Sequence, residues 1–159
     1  MGLEVSYEMN NKEYEEIASQ IRQHVIRAIY NAKSGHPGGS LSATDILTAL
    51  FFKEMNIDPE NPEKDDRDMF VLSKGHAAPA LYATMGVRGF YPVEDMYSLR
   101  KLGSKFQGHP SSYKLPCLEH STGSLGQGFS AAVGMAIGAR LKGLGQRVYT
   151  ILGDGELQE

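Results

Sequence analysis

Arg147-Val-Tyr-Thr-Ile-Leu-Gly-Asp-Gly-Glu-Leu-Gln-Glu159 is the stretch whose reading decides the fold. Val148 to Leu152 form a short apolar run rich in β-branched and aromatic residues, the composition of a buried strand. The run breaks at Gly153-Asp154-Gly155, and Glu156 opens a helix with acids in its first turn. Strand, glycine-rich turn and helix start together reproduce the rim of an α/β sheet, where ligands sit beyond the carboxyl ends of parallel strands. Glycines let the backbone pass close to a bulky anion, and the free N–H groups of a helix start favour phosphate. An aspartate there repels phosphate unless a cation lies between them. Two readings of Asp154 therefore stand side by side. One is a ligand for a hard divalent cation, Mg²⁺ first, shared with a diphosphate; the other is a tight turn with a hydrogen-bonded aspartate. The chain ends within this expected helix.

A strand of that kind needs parallel neighbours, and Met69-Phe70-Val71-Leu72 supplies one, broken by Ser73-Lys74-Gly75-His76. Helical periodicity fills the spaces between. From Asn11, Ile17, Ile21, Val25, Ala28, Ile29 and Ala32 share one face, with Glu13, Glu15 and Glu16 early and Arg22, Arg27 and Lys33 late, as the helix dipole prefers. Gly35 stands where a C-terminal cap belongs. Ser42-Ala43-Thr44-Asp45 resembles a capping box, with Leu41 and Ile46 as its hydrophobic staple, and predicts a second helix through Met55. Asp58 to Asp68 reads as a solvated polar loop. Pro79 suits the first turn of a helix running to about Met85. A short helix is expected over Val93 to Leu102, closed by Gly103. Ser104 to Gly123 shows no period, and so long a connection is usually functional or mobile.

Gln127 to Lys142 is helical but smooth, with Gly128, Gly134 and Gly138 among alanines. Each interior glycine costs about 1 kcal/mol against alanine, so close packing on another backbone is expected to compensate. Strands alternating with helices predict one α/β domain over residues 1–159, with a parallel sheet covered by helices on both faces. Residues 1–10 read as a loose arm.

Length and composition narrow the function. The 159 residues suffice for one domain with a real core. A net charge of −3 excludes a nucleic-acid or acidic-membrane partner recognised by charge. The single cysteine, Cys117, excludes a disulfide framework and fits a reducing compartment, so the expected setting is cytoplasmic. The small-apolar run Ala131 to Ala139 is too short to span a bilayer.

Three of the five histidines follow a glycine, at Gly35-His36, Gly75-His76 and Gly108-His109, more than chance placement would give. All three fall in loops flanking helices or strands, where functional side chains collect. They read as a metal cluster, although no close His-x-x-x-His spacing exists, as neutral donors and proton carriers around a hydroxylated substrate, or as ordinary loop histidines. His24, beside the apolar stripe of the first helix, reads as a packing residue, and His120 is left open. Gly126-Gln-Gly128-Phe-Ser-Ala131 matches a dinucleotide fingerprint in letters, but no strand precedes it and no acid follows at the right distance.

Five motifs now stand in order: Ser34-Gly-His-Pro-Gly-Gly-Ser-Leu41, Leu72-Ser-Lys-Gly-His-Ala77, Gly108-His-Pro110, Ser121-Thr-Gly-Ser-Leu-Gly-Gln-Gly128 and Leu152-Gly-Asp-Gly-Glu-Leu-Gln-Glu159. Their order resembles that of transketolases over nearly the whole chain. The wording Ser-Lys-Gly-His-Ala-Ala-Pro-Ala is similar to split enzymes whose N-terminal half is a separate subunit. The resemblance implies a thiamine diphosphate-binding fold, here partial, and transfer of a two-carbon ketol unit from a ketose phosphate to an aldose phosphate. It implies Asp154 as ligand to Mg²⁺ (or Ca²⁺ or Mn²⁺), with Gly155 donating its N–H to the diphosphate. His76, Gly123, Ser124 and Leu125 would contact the cofactor, Leu125 against its rings. His36 and His109 would be catalytic, holding the donor sugar's carbonyl and hydroxyls, with His36 also assisting proton transfer.

The same resemblance implies two partners, a second copy of the chain and a C-terminal transketolase subunit. It also implies sugar phosphates as substrates and places Glu159 at a subunit interface. Ser124 stands where the family commonly has proline. The family's remaining Mg²⁺ ligands fall after Glu159, and the glutamate that activates the aminopyrimidine lies on the partner, so this chain alone is expected to be inactive. Two further readings stay open: a non-catalytic truncated fragment that keeps fold and interface, and the half-site of a related ketol transferase with a different acceptor.

Overall fold

A computed structural model describes residues 9–159. The expected arm over residues 1–10 lies mostly outside the described residues; Asn10, its last member, is structured. The Asn10 side chain accepts the Glu13 N–H while the Glu13 carboxylate accepts the Asn10 N–H, a reciprocal box that starts α1 (Asn11–Ala32). Ile21, Val25 and Ala28 bury its inner face completely. Lys33, not Gly35, closes the helix, in the left-handed conformation with φ of 52°.

The second helix begins earlier than the capping-box reading expects. α2 spans Pro37–Ala49 with Pro37 in its first turn, and His36 is the cap residue. The polar residues read as a cap lie inside the helix. Ser42 Oγ donates to Gly39 O at 3.2 Å, while Thr44 and Thr48 donate back to the carbonyls of Ser40 and Thr44. Asp45 pairs with Arg22 of α1 at 2.5 Å. The last turn widens to a π-helical segment, Leu50–Glu54.

α3 (Ala78–Arg88) packs on α1 and α2, and its residues from Ala78 to Gly86 are all buried. The helix expected over Val93 to Leu102 is a 3-10 segment, Val93–Ser98. Residues 99–126 carry no longer element and cross back to α4 (Gln127–Leu141). That helix leads into the sheet's second strand.

The sheet is a parallel pair. β1 (Met69–Leu72) and β2 (Val148–Ile151) run in register from Met69↔Val148 to Leu72↔Ile151. Phe70 and Leu72 join the main core with the three-helix layer, and the rings of Phe51 and Phe70 meet edge-on at 5.2 Å. α4 packs against both strands, so helices cover the two faces as alternation along the strands requires. The Asp58–Asp68 loop departs from its expected solvation at its end. Asp68 is only 3% exposed and accepts the N–H groups of Asn56 and Arg147 at 2.9 and 2.8 Å, pinning the entrances of β1 and β2 together.

Candidate functional site

The carboxyl ends of the two strands, the start of α2 and the loop before α4 meet at one rim. Glycines permit the closeness. A side chain on Gly75 would place its Cβ 2.9 Å from Gly123 N and 2.8 Å from Thr122 Oγ1, and one on Gly128 would stand 2.7 Å from Ser73 Cα. The turn after β1 therefore lies directly on Thr122–Gly123, and the first turn of α4 lies on Ser73. A side chain on Gly39 would meet His76 Nε2 at 3.2 Å, so the glycine-rich start of α2 is what admits the His76 ring.

These contacts gather the three glycine-preceded histidines. His36, at the cap of α2, and His76, in the 3-10 turn Gly75–Ala77, have ring centroids 5.3 Å apart and meet edge-on. His109 lies over Gly123, whose Cβ position is 3.4 Å from the His109 ring. The loop carrying His109 is held from beneath: the buried Tyr82 hydroxyl donates to the carbonyls of Gln107 and His109 at 3.1 and 3.2 Å. Arg100 braces its other side, donating to Ser34 Oγ at 2.6 Å and lying against Gly108.

Burial and neighbouring charge favour the neutral form of His76 and His109. Burial, then the adjoining His36 ring and the Lys74 ammonium, holds His76 below the usual histidine value against the opposing pull of Glu156. Burial, then Arg100 and His36, does the same to His109. Burial also lowers the Lys74 ammonium, which donates to Gly39 O at 3.2 Å. Neutral imidazoles can hold a carbonyl or hydroxyl and exchange a proton near pH 7.

At the end of β2, Asp154 and Gly155 are exposed, and open space lies where a Gly155 side chain would project. Gly155–Gln158 forms a 3-10 turn in place of the expected helix start. Ser124 and Leu125 face outward on the loop before α4, and Thr122 Oγ1 is buried without a hydrogen-bond partner. Among the described residues no set of three or more His, Cys, Asp or Glu is arranged to hold a metal ion. Asp154 is instead a single exposed carboxylate, a hard-oxygen donor of the type that divalent cations such as Mg²⁺ accept. His36, His76, His109, Gly123, Ser124, Leu125, Asp154 and Gly155 thus stand on the segments that meet at this rim. His24 does not: it hydrogen-bonds Tyr97 at 2.6 Å beneath α1, a packing role. At this rim sequence reasoning misses Glu156, which in the sequence is only an acid in a first turn. It is 4% exposed and accepts the Ser73 hydroxyl and the N–H groups of Gly126 and Gly153.

The family model described as "Transketolase, thiamine diphosphate binding domain" matches residues 13–159. The chain belongs to the transketolase family. It is 45% identical over 142 residues to the 6-deoxy-6-sulfo-D-fructose transketolase subunit of Clostridium sp. (strain MSTE9), covering 89% of this chain and 52% of that protein. Identity to one of the subunits of the apulose-4-phosphate transketolase of Phocaeicola vulgatus is 42%, covering 87% and 49%. Transketolase of Campylobacter jejuni superposes with a TM-score of 0.88 at 37% identity, over 95% of this chain and 25% of that one. The chain thus spans about half the length of the subunits it matches and about a quarter of the solved transketolase. The α/β fold with a parallel sheet is the transketolase fold in part. No helix among the described residues is long and apolar enough to cross a membrane.

Proposed function

We propose that this chain is the N-terminal, diphosphate-binding section of a thiamine diphosphate-dependent transketolase that moves a two-carbon ketol unit from a ketose phosphate to an aldose phosphate. The observation that carries the reading is the meeting of His36, His76 and His109 at the rim that also carries Asp154 and Gly155. Asp154 would hold Mg²⁺ shared with the diphosphate, and Gly155 would donate its N–H to a phosphate oxygen. His76, Gly123, Ser124 and Leu125 would line the cofactor. When bound, thiamine diphosphate supplies the nucleophilic carbon and the electron sink for carbon–carbon cleavage. His36 and His109 would hold the sugar's carbonyl and hydroxyl oxygens, and His36 would carry a proton to or from them.

Partners follow from the same reading: a C-terminal subunit, supported by relatives that are themselves named as subunits, and a second copy of the assembly, all in the cytoplasm. Those relatives carry names for 6-deoxy-6-sulfo-D-fructose and apulose 4-phosphate, which supports a donor sugar other than the common ketose phosphates as a second reading of the same site. The test is calorimetric titration of thiamine diphosphate with Mg²⁺ into the chain paired with its C-terminal subunit, followed by a ketol-transfer assay. Asp154→Ala should remove cofactor binding. His36→Ala and His109→Ala should keep it while lowering turnover about 10²- to 10⁴-fold. Histidine variants that lose the cofactor as completely as Asp154→Ala would overturn the assignment.

A further inference from the structure

Ser73, Gly126 and Gly153 belong to three separate segments: the end of β1, the residue before α4 and the turn after β2. One side chain joins them. Glu156 Oε1 accepts the Ser73 hydroxyl at 2.5 Å and the Gly126 N–H at 3.0 Å, and Oε2 accepts the Gly153 N–H at 3.0 Å. Ser73 Oγ in turn accepts the Phe129 N–H at 2.9 Å, extending the array into the first turn of α4. A carboxylate buried to 4% exposure normally sits in an ion pair or a full set of hydrogen bonds. Here the set is hydrogen bonds from three loops.

The donors flank the residues read above as cofactor contacts. Gly153 immediately precedes Asp154, and Gly126 immediately follows Leu125 at a left-handed φ of 80°. We propose that Glu156 is a positioning residue for the diphosphate end of the site. Through main-chain N–H groups it fixes the Gly153–Gly155 turn against the Gly123–Gly126 loop, and so aims the Asp154 carboxylate and the Gly155 N–H at one point. This rests on the functional reading given above. An amide of the same shape cannot substitute. Glutamine replaces one accepting oxygen with a donor NH₂, which then faces a backbone N–H.

The experiment titrates thiamine diphosphate with Mg²⁺ into the chain paired with its C-terminal subunit. It compares the parent, Glu156→Gln, Ser73→Ala and, as a control for lost stability alone, Val25→Ala in the core face of α1. Both clamp variants should weaken cofactor binding about 10- to 100-fold, the usual loss when a group orienting a metal ligand is removed. Val25→Ala should lower the melting temperature and leave affinity unchanged. In the chain without cofactor, amide exchange by NMR should quicken at Gly126 and Gly153 in Glu156→Gln and not in Val25→Ala. Parent-like affinity in Glu156→Gln, or equal losses in Val25→Ala, would overturn the proposal. If the parent itself binds no thiamine diphosphate, the functional reading falls and the aiming of Asp154 falls with it. The exchange at Gly126 and Gly153 then decides the clamp alone, faster exchange upholding it and unchanged exchange refuting it.

Discussion

Alanine at Gly128 should destabilise the chain, whereas alanine at Gly134, further along the same helix, should stabilise it. The Cβ added at Gly128 would stand 2.7 Å from Ser73 Cα, 2.9 Å from Ser73 Oγ and 3.0 Å from Thr122 Cγ2. Carbon atoms in contact sit about 3.5–4.0 Å apart, so α4 and the end of β1 must separate by roughly 1 Å. Ser73 cannot yield alone, because its hydroxyl is bound to Glu156 and to the Phe129 N–H. Overpacking of this kind costs about 1–3 kcal/mol. At Gly134 nothing lies within 4 Å of the added atom, and an interior helical glycine replaced by alanine gains about 0.5–1 kcal/mol. For a chain of this size each kcal/mol moves the melting temperature by about 2–4 °C. Circular-dichroism melting of the two variants should therefore bracket the parent, Gly128→Ala below it and Gly134→Ala above. Gly128→Ala melting at or above the parent would show that the Ser73 contact is looser than its distances state.

Asp68→Ala should cost about 2–4 kcal/mol in urea unfolding, since it strips the Asn56 and Arg147 N–H groups of their acceptor. Arg147→Ala should cost far less, because the guanidinium is more than half exposed; equal losses would mean that the ion pair, not the backbone anchoring, matters. Acidification should weaken the fold through His76 and His109. Their folded values lie below the ordinary one, so the unfolded chain takes up protons first, and stability is full above about pH 6.5 and declines as pH falls through the folded values. A His76→Gln, His109→Gln double variant should flatten that slope in urea midpoints, and an unchanged slope would contradict the burial assigned to both rings. Tyr82→Phe should lower stability by about 1 kcal/mol, one buried hydrogen-bonding hydroxyl, and quicken exchange in the His109 loop; an undisturbed loop would show that Arg100 alone holds it.

Both strands, α1, α3 and α4 are legible in the sequence because each carries its own period or apolar run, with local stop signals. The start of α2 is not, because its first turn, Pro37-Gly38-Gly39-Ser40, has loop composition. Its contacts are tertiary: the His76 ring packs closely on Gly39, and Lys74 donates to the Gly39 carbonyl. The 3-10 form of Val93–Ser98 and the π-helical Leu50–Glu54 depend on packing that periodicity does not encode. At the site, the loop histidines can be singled out by their preceding glycines, and ordered motifs tie them to Asp154. Glu156 cannot be singled out. Its three partners lie near positions 73, 126 and 153, and nothing local separates a buried acceptor from a solvated acid in a first turn. Of α4's glycines, Gly128 packs on the Ser73 backbone of this chain, while Gly134 and Gly138 leave open the surface on which a second copy or a partner subunit is expected to pack.

The pairing of Met69 with Val148 joins residues 79 positions apart, and it sets an order of folding. α1, α2 and α3 find one another through nearby contacts, whereas the β1–β2 ladder must wait for a long loop to close. On a ribosome adding about 5–20 residues per second, β1 emerges several seconds before β2 exists. During that interval Phe70 and Leu72 can shelter against the helical layer, but the edge that will receive β2 has no partner. The delay leaves residues 69–72 open to chaperone capture or mispairing. The carboxylate of Glu156, made only after both strands, then ties the two strand ends to α4.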